Sequence, residues 1–289
     1  MAVGTNILTY FDGQWIQGNP PVMRAADHAM WLGTLVFDGA RLFEGVTPDL
    51  DRHCERVNQS AVALGLSPTK TPNDMVALAH EGLAQFDAAA AVYIRPMYWS
   101  TESGPGVVVA DPDSTVFCLC LEELPMPPAD ASTTLTRTSF IRPLLSMATV
   151  NAKAACLYPN NGRMLREAHQ KGFNNALAAD PLGNVAETAT SNVFMVRDGE
   201  VFTPAPNGTF LNGITRQRII TLLRADGIAV HEATLSFSDF DRADEVFMTG
   251  NVSKITPVTQ FDNVHYHSHA IAQKARALYF DWAKSLSSV

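Results

Sequence analysis

Two short runs rich in apolar and aromatic residues, 7–11 and 14–16, flank Asp12-Gly13 near the start of the chain. An Asp-Gly pair between such runs predicts a β-hairpin, because both turn positions need positive φ. An apolar period of about 3.6 residues follows. A helix is predicted over 51–64, ended by Gly65, and a second from Thr71-Pro72-Asn73, with Thr71 as N-cap and Pro72 in the first turn. Met75, Val76, Leu78, Ala79, Leu83 and Phe86 form the stripe of that helix. Strands are predicted at 91–96, at 107–110 and through the apolar run 115–121, where alternation puts Cys118 and Cys120 on one face. A helix over 161–171 closed by Gly172, a strand at 192–196, a helix over 213–225 closed by Gly227 and a terminal helix over 270–286 complete the pattern.

Residues 123–130 carry three prolines, which resist both helix and central strand and favour an extended connector. The predicted organisation is therefore α+β: a small N-terminal domain (1–122), a linker (123–130) and a larger C-terminal domain (131–289). No repeat or low-complexity tract is visible. With 46% apolar residues, 17% charged residues and a net charge of −8, the 289-residue chain has a globular composition and no basic face for nucleic acid. No apolar run is long enough to cross a bilayer, and no basic-then-apolar leader opens the sequence, so a cytoplasmic location away from membranes is expected. Cys118 and Cys120 read as buried reduced thiols, the alternatives being a metal or disulfide pair. His265-Tyr-His-Ser-His269 would share one face if it were a strand, a spacing open to a divalent metal; a polar loop before the last helix is the plainer reading, and no metal is expected.

Six lysines are present. Lys70 lies in a turn, Lys171 before a helix-ending glycine, Lys274 and Lys284 on the terminal helix, and Lys254 between a turn and an apolar strand. Lys153 differs: Ala148-Thr-Val-Asn-Ala-Lys-Ala-Ala-Cys156 surrounds it with small and apolar residues. Burial there would lower its pKa, as an amine that forms Schiff bases requires. A lysine snorkelling from the end of a strand or helix is the other reading. A pyridoxal-phosphate enzyme needs such a lysine, a carboxylate at the pyridine nitrogen and an anion site for the phosphate. The helix opened by Gly213-Ile-Thr-Arg216 offers N–H groups for an anion. Glu187, the one charge in Gly183-Asn-Val-Ala-Glu-Thr-Ala-Thr-Ser-Asn-Val-Phe194, is either that carboxylate or a solvated turn residue.

Together these residues resemble fold-type IV pyridoxal-phosphate enzymes, and most closely branched-chain amino-acid aminotransferases. The motifs are Ala152-Lys-Ala, Ala186-Glu with Asn192-Val-Phe194, Leu211-Asn-Gly-Ile-Thr-Arg216, Ala243-Asp-Glu-Val-Phe-Met-Thr-Gly250 and Ile255-Thr-Pro-Val258, in that order. The resemblance implies a small α/β sandwich domain followed by a larger α/β pseudo-barrel domain, with pyridoxal 5'-phosphate carried on Lys153. It further implies Glu187 at the ring nitrogen, Tyr158 near the ring hydroxyl, Leu211 against the ring, and Arg56, Gly213, Ile214, Thr215 and Gly250 around the phosphate. Asn251 stands where a phosphate-binding threonine is usual.

Phe37-Asp-Gly-Ala-Arg41 and Tyr93-Ile-Arg-Pro96 resemble the family's substrate motifs, which implies Phe37, Gly39, Arg41, Tyr93 and Arg95 at the substrate. Arg95 would grip a carboxylate such as the distal one of 2-oxoglutarate. Read without the family, the same residues are a buried aromatic and a surface ion pair. The implied reaction is ping-pong transamination between an L-amino acid, a branched-chain one, and 2-oxoglutarate, in a homodimer or higher homo-oligomer. Trp31-Leu32, Pro105 and Asn251-Val-Ser253 depart from the usual pattern near the pocket. An (R)-amine or D-amino-acid transaminase, an aminodeoxychorismate lyase and a non-catalytic pyridoxal-phosphate binder are the alternatives.

Overall fold

The computed structural model describes Gly4 and residues 6–286, and its elements are counted within them. Asp12 and Gly13 both take positive φ, 50° and 81°, and close the hairpin of β1 (Ile7–Phe11) and β2 (Gln14–Gln17), with Phe11 opposite Gln14. The chain forms two compact units. One comprises residues up to Met126, the return segment Asn151–Cys156 and the residues from Ala283 onward; the other comprises Pro127–Val150 and Leu157–Trp282.

In the first unit the hairpin is followed by α1 (His28–Leu32), β3 (Leu35–Phe37), β4 (Ala40–Leu42), α2 (Leu50–Ala63), α3 (Pro72–Leu83), β5 (Val92–Ser100) and β6 (Thr115–Glu123). Every pairing is antiparallel, in the order β2-β1-β6-β5-β3, and β4 also pairs with β5. Helix α2 ends before Gly65, whose φ of 80° is the left-handed turn that stops it. Helix α3 starts in a capping box: Asp74 N–H donates to the Thr71 hydroxyl at 3.1 Å, and Thr71 N–H donates to the Asp74 carboxylate at 3.0 Å. Alternation along β5 sends Val92, Ile94, Pro96 and Tyr98 to one buried face, where the Tyr98 hydroxyl meets Met75 of α3. Tyr93, Arg95 and Met97 take the opposite face.

The strand expected at 107–110 is a turn. Gly104 N–H donates to Val109 O at 2.7 Å, Val107 has φ 67°, and Val107, Val108 and Val109 are all exposed. The β-branched run favours a strand, but Pro105-Gly106 just before it reverses the chain.

The second unit contains β7 (Thr133–Arg137), α4 (Tyr158–Gln170), β8 (Asn175–Ala179), β9 (Val185–Thr188), β10 (Asn192–Arg197), β11 (Glu200–Pro204), α5 (Ile214–Ala225), β12 (Val230–Ala233), α6 (Phe237–Asp241), β13 (Glu245–Gly250), β14 (Lys254–Phe261), β15 (Val264–His265) and all but the last two residues of α7 (Ala270–Lys284). Its mixed nine-stranded sheet runs β12-β11-β10-β13-β14-β7-β8-β9, with β15 on β14 and parallel pairs at β11/β12, β14/β7 and β7/β8. Val185 N–H donates to Leu235 O, just past β12, at 2.7 Å. That bond curls the β9 edge round toward the other edge, giving the partial barrel of the α+β fold expected above. Leu135, Leu177, Val193, Val246, Val258 and Phe261 fill the core, and Met164 and Ala168 of α4 pack on Ala176 and Ala178 of β8.

Strand structure ends at His265, so His265, His267 and His269 do not share a strand face. Among the described residues, no helix is long and apolar enough to cross a membrane.

Candidate active site

Lys153 lies in the segment that returns to the first unit, and its backbone is tied on both sides. Its N–H donates to Ser60 Oγ of α2 at 3.0 Å, and its carbonyl accepts from Phe37 N–H at 3.1 Å. Ala154 bridges Val36. Ala152 and Ala154 are buried while Lys153 keeps partial exposure, and its Nζ sits 4.7 Å from the centre of the Phe37 ring. The amine is therefore semi-buried against an aromatic face, on a backbone that cannot slide.

Phe37 pairs with Met97 across β3/β5, and Arg41 pairs with Tyr93 across β4/β5. Directly opposed residues share a sheet face, so Phe37, Arg41, Tyr93 and Arg95 lie together. Gly39 is required there by space: a Cβ would fall 2.0 Å from the Tyr93 hydroxyl. Arg95 lies over the Tyr93 ring, 5.0 Å from its centre, and donates to Glu122 Oε2 at 2.9 Å. Arg41 is wholly buried and donates to Leu124 O, while its Nε and Nη1 meet no hydrogen-bond partner among the described residues. Burial lowers its pKa to about 10 against the opposing pull of Tyr93, so the guanidinium stays charged at neutral pH.

Arg56 of α2 grips Asp38 with both arms, Nε to Oδ2 at 2.6 Å and Nη2 to Oδ1 at 2.8 Å. His53, one turn earlier, donates from Nδ1 to Asp38 Oδ1 at 2.7 Å, and Gly39 N–H donates to the same oxygen at 2.7 Å. Burial pushes the Asp38 carboxyl up, but the charges and hydrogen bonds of Arg56 and His53 outweigh it and hold the group well below the usual carboxylate range.

In the second unit Glu187 is buried on β9, not solvated in a turn. Its Oε1 lies 3.1 Å from Arg142 Nε, and its Oε2 accepts from Asn192 Nδ2 at 3.4 Å. Arg142 is itself buried and bonds Asn161 Oδ1 at 2.6 Å and Thr209 O at 3.3 Å. The Asn192 amide reaches on to the start of α5: Nδ2 donates to Leu211 O at 2.9 Å, and Oδ1 accepts from Gly213 N–H at 3.1 Å. Gly213 is the N-cap of α5, with no side-chain cap and no room for one, since a Cβ would lie 2.1 Å from Asn192 Oδ1. Ile214 and Thr215 follow, both buried. At Gly250 a Cβ would lie 2.8 Å from Ser191 Oγ. Asn251 Oδ1 accepts from Lys254 Nζ at 2.6 Å, and its Nδ2 is buried without a hydrogen-bond partner among the described residues. Tyr158 opens α4, partly exposed, and Leu211 is half-buried.

A family model for amino-transferase class IV matches residues 35–261. The chain belongs to the class IV aminotransferases. This aminotransferase is 30% identical over 258 residues to a putative branched-chain-amino-acid aminotransferase of Methanocaldococcus jannaschii, covering 88% of this chain and 87% of that one. It is 29% identical over 263 residues to the branched-chain-amino-acid aminotransferase of Escherichia coli, covering 88% and 85%. Among solved structures, it resembles an aminotransferase from Brucella abortus bound to the cofactor PLP, with a TM-score of 0.95, 60% identity and coverage of 97% and 100%. It also resembles the Escherichia coli branched-chain enzyme, with a TM-score of 0.89, 26% identity and coverage of 96% and 94%.

Four residues that sequence reasoning had not singled out hold the expected ones in place, Asp38 and His53 in the first unit and Arg142 and Asn192 in the second. Asp38 and Asn192 sat inside quoted motifs without a role; His53 was signalled by its three-residue spacing from Arg56 on one helix. Arg142 gave no signal, because the guanidinium that meets Glu187 comes from an irregular segment 45 residues earlier.

Proposed function

We propose that this aminotransferase binds pyridoxal 5'-phosphate through Lys153 and transfers the amino group of an L-amino acid, a branched-chain one, to 2-oxoglutarate, giving a 2-oxo acid and glutamate. The observation that carries the reading is the buried Glu187 carboxylate, held by Arg142 and Asn192. An ionised carboxylate is costly inside a protein without such partners, and an electron-withdrawing pyridine ring needs one at its nitrogen. The remaining groups suit the cofactor. The uncapped first turn of α5, the unpartnered Asn251 Nδ2 and two glycine positions with no room for a Cβ form a donor set for a phosphate.

Bound pyridoxal phosphate supplies an aldehyde that condenses with amines and a ring that draws electrons from the adjacent substrate carbon. Glu187 holds a proton at the ring nitrogen, and Arg142 keeps Glu187 ionised. Arg56, the N–H groups of Ile214 and Thr215, the backbone at Gly250 and the Asn251 amide bind the phosphate. Tyr158 bonds the ring hydroxyl and Leu211 packs on the ring. The Nζ of Lys153 would tether the cofactor and, once free, would take the proton from the substrate Cα and deliver it to the cofactor carbon that receives the amino group. Phe37 and Tyr93 give an apolar, aromatic wall suited to a branched side chain. Gly39 admits Tyr93, and Arg95 and Arg41 supply cationic charge for substrate carboxylates. Storage of the amino group between half-reactions makes the kinetics ping-pong. The working form is a homodimer or higher homo-oligomer.

The test is a donor screen with 2-oxoglutarate as acceptor, comparing L-leucine, D-alanine and (R)-1-phenylethylamine. Preferential turnover of L-leucine with parallel double-reciprocal lines is expected. Preference for either of the other donors overturns the substrate, and no glutamate from any donor overturns the reaction.

A further inference from the structure

We infer that Lys254 is a positioning residue for the cofactor phosphate, turning the Asn251 side chain so that its NH2 group, not its oxygen, is offered to the anion. The inference rests on the pyridoxal-phosphate reading above. Lys254 is 1% exposed and takes φ 63°, a left-handed backbone that a non-glycine residue adopts at some cost. Its Nζ donates to Asn251 Oδ1 at 2.6 Å and lies 5.6 Å from the centre of the Tyr279 ring, where the π face favours a cation.

An ammonium group has donors and no acceptor, so the contact fixes which end of the amide faces it. The oxygen turns to Lys254 and Nδ2 turns away. Nδ2 is buried and meets no hydrogen-bond partner among the described residues, a condition that folded proteins avoid unless a ligand or an ordered water completes the group.

The place is right for an anion. Gly250 pairs with Lys254 across β13/β14, and Thr249 pairs with Asn192 across β10/β13. The Asn192 side chain in turn holds the Gly213 N–H at the head of α5. The same framework thus carries both the α5 N-terminus and the Asn251 amide. A cation on the amide oxygen also polarises the amide and strengthens its N–H donation. A threonine at position 251 would need no such orientation, because a hydroxyl rotates freely to its acceptor; an amide must be set, and Lys254 sets it.

The test separates the phosphate from the rest of the cofactor. The full chain, freed of cofactor, is titrated with pyridoxal 5'-phosphate and with pyridoxal, which lacks the phosphate. Lys254→Met, which keeps bulk and removes the donor and the charge, is expected to lower the preference for the phosphorylated compound about tenfold, the weight of one hydrogen bond to a charged group. Its pyridoxal affinity should stay within about twofold on that same scale. Adding Asn251→Thr to Lys254→Met should restore most of the preference. Should Lys254→Met fail to fold, Asn251→Asp keeps Lys254 paired but removes the donor, and the preference must fall as far. An unchanged preference in the single variants overturns the inference, and so does an equal loss for both compounds, the mark of a merely structural lysine. A wild-type chain with no preference for the phosphorylated compound overturns the cofactor reading itself, a separate and distinguishable result.

Discussion

Replacing Asp38 by Asn tests the electrostatic frame beneath the first unit. Asp38 accepts four hydrogen bonds, three of them from Arg56 and His53, and Oδ1 alone takes three of the four. Asn offers one oxygen. Its NH2 group would face Arg56 Nε, donor against donor, and the charge that balances the guanidinium would be gone. Breaking a buried pair by removing one partner costs about 3–5 kcal/mol, because the other charge stays behind uncompensated. With a typical urea dependence of about 1–3 kcal/mol per molar, the first unit's midpoint should fall by roughly 1–5 M. Trp15, Trp31 and Trp99 lie in that unit and Trp282 in the other, so intrinsic fluorescence is weighted toward the first unit, and Trp282→Phe in both proteins confines it there.

The pH dependence has a definite sign. The folded-state pKa of Asp38 is depressed, so its stabilisation is fully present above the ordinary carboxylate pKa and is lost as pH falls below that value toward the depressed one. The wild-type and Asp38→Asn stability curves should therefore lie apart at neutral pH and converge in acid. A difference under about 0.5 kcal/mol at pH 7, the range of ordinary surface substitutions, would refute the reasoning; so would curves that stay parallel into acid.

Arg142→Met should destabilise the second unit by about 3–5 kcal/mol and cut turnover at least about tenfold, with Arg142→Lys recovering part of both; thermal unfolding and steady-state rates check it, and wild-type values would contradict the Glu187 pairing. Gly39→Ala places a Cβ 2.0 Å from the Tyr93 hydroxyl, so Tyr93 must move; a stability loss of about 1–3 kcal/mol and a rise in KM larger than any fall in kcat are expected. Cys54 and Cys118 are buried with thiols pushed up to about 12, Cys120 is buried and raised, and Cys156 is exposed. Native alkylation followed by mass spectrometry should therefore label Cys156 alone, and denaturation should release the other three.

The long helices and their C-terminal ends were legible because their signals are local, whereas α4 begins at Tyr158, three residues before the expected start, and the five-residue helices α1 and α6 are too short to show a period. Thr71-Pro72 with Asp74, and the glycines at 65, 172 and 227, act within one turn, and the structure places each where the pattern did. The 107–110 stretch misled because strand propensity is a weak preference, whereas Pro105-Gly106 imposes its turn. Lys153 and Glu187 stood out as isolated charges in small, neutral surroundings. What holds them did not: Ser60 lies 93 residues from Lys153, and Arg142 comes from a loop with no periodicity. Lys254 looked ambiguous because a lysine after a turn is ordinarily solvated; only packing against Tyr279 and Asn251 shows that it is buried.

The central claim is that Lys153 is the amine that carries the cofactor. Borohydride reduction of the protein loaded with pyridoxal phosphate, followed by digestion and mass spectrometry, tests it most directly. The account predicts a single pyridoxyl group on the peptide containing Lys153 and none in Lys153→Ala. A pyridoxyl group on Lys254 or any other lysine of the wild-type protein, or no pyridoxyl group at all, would contradict it.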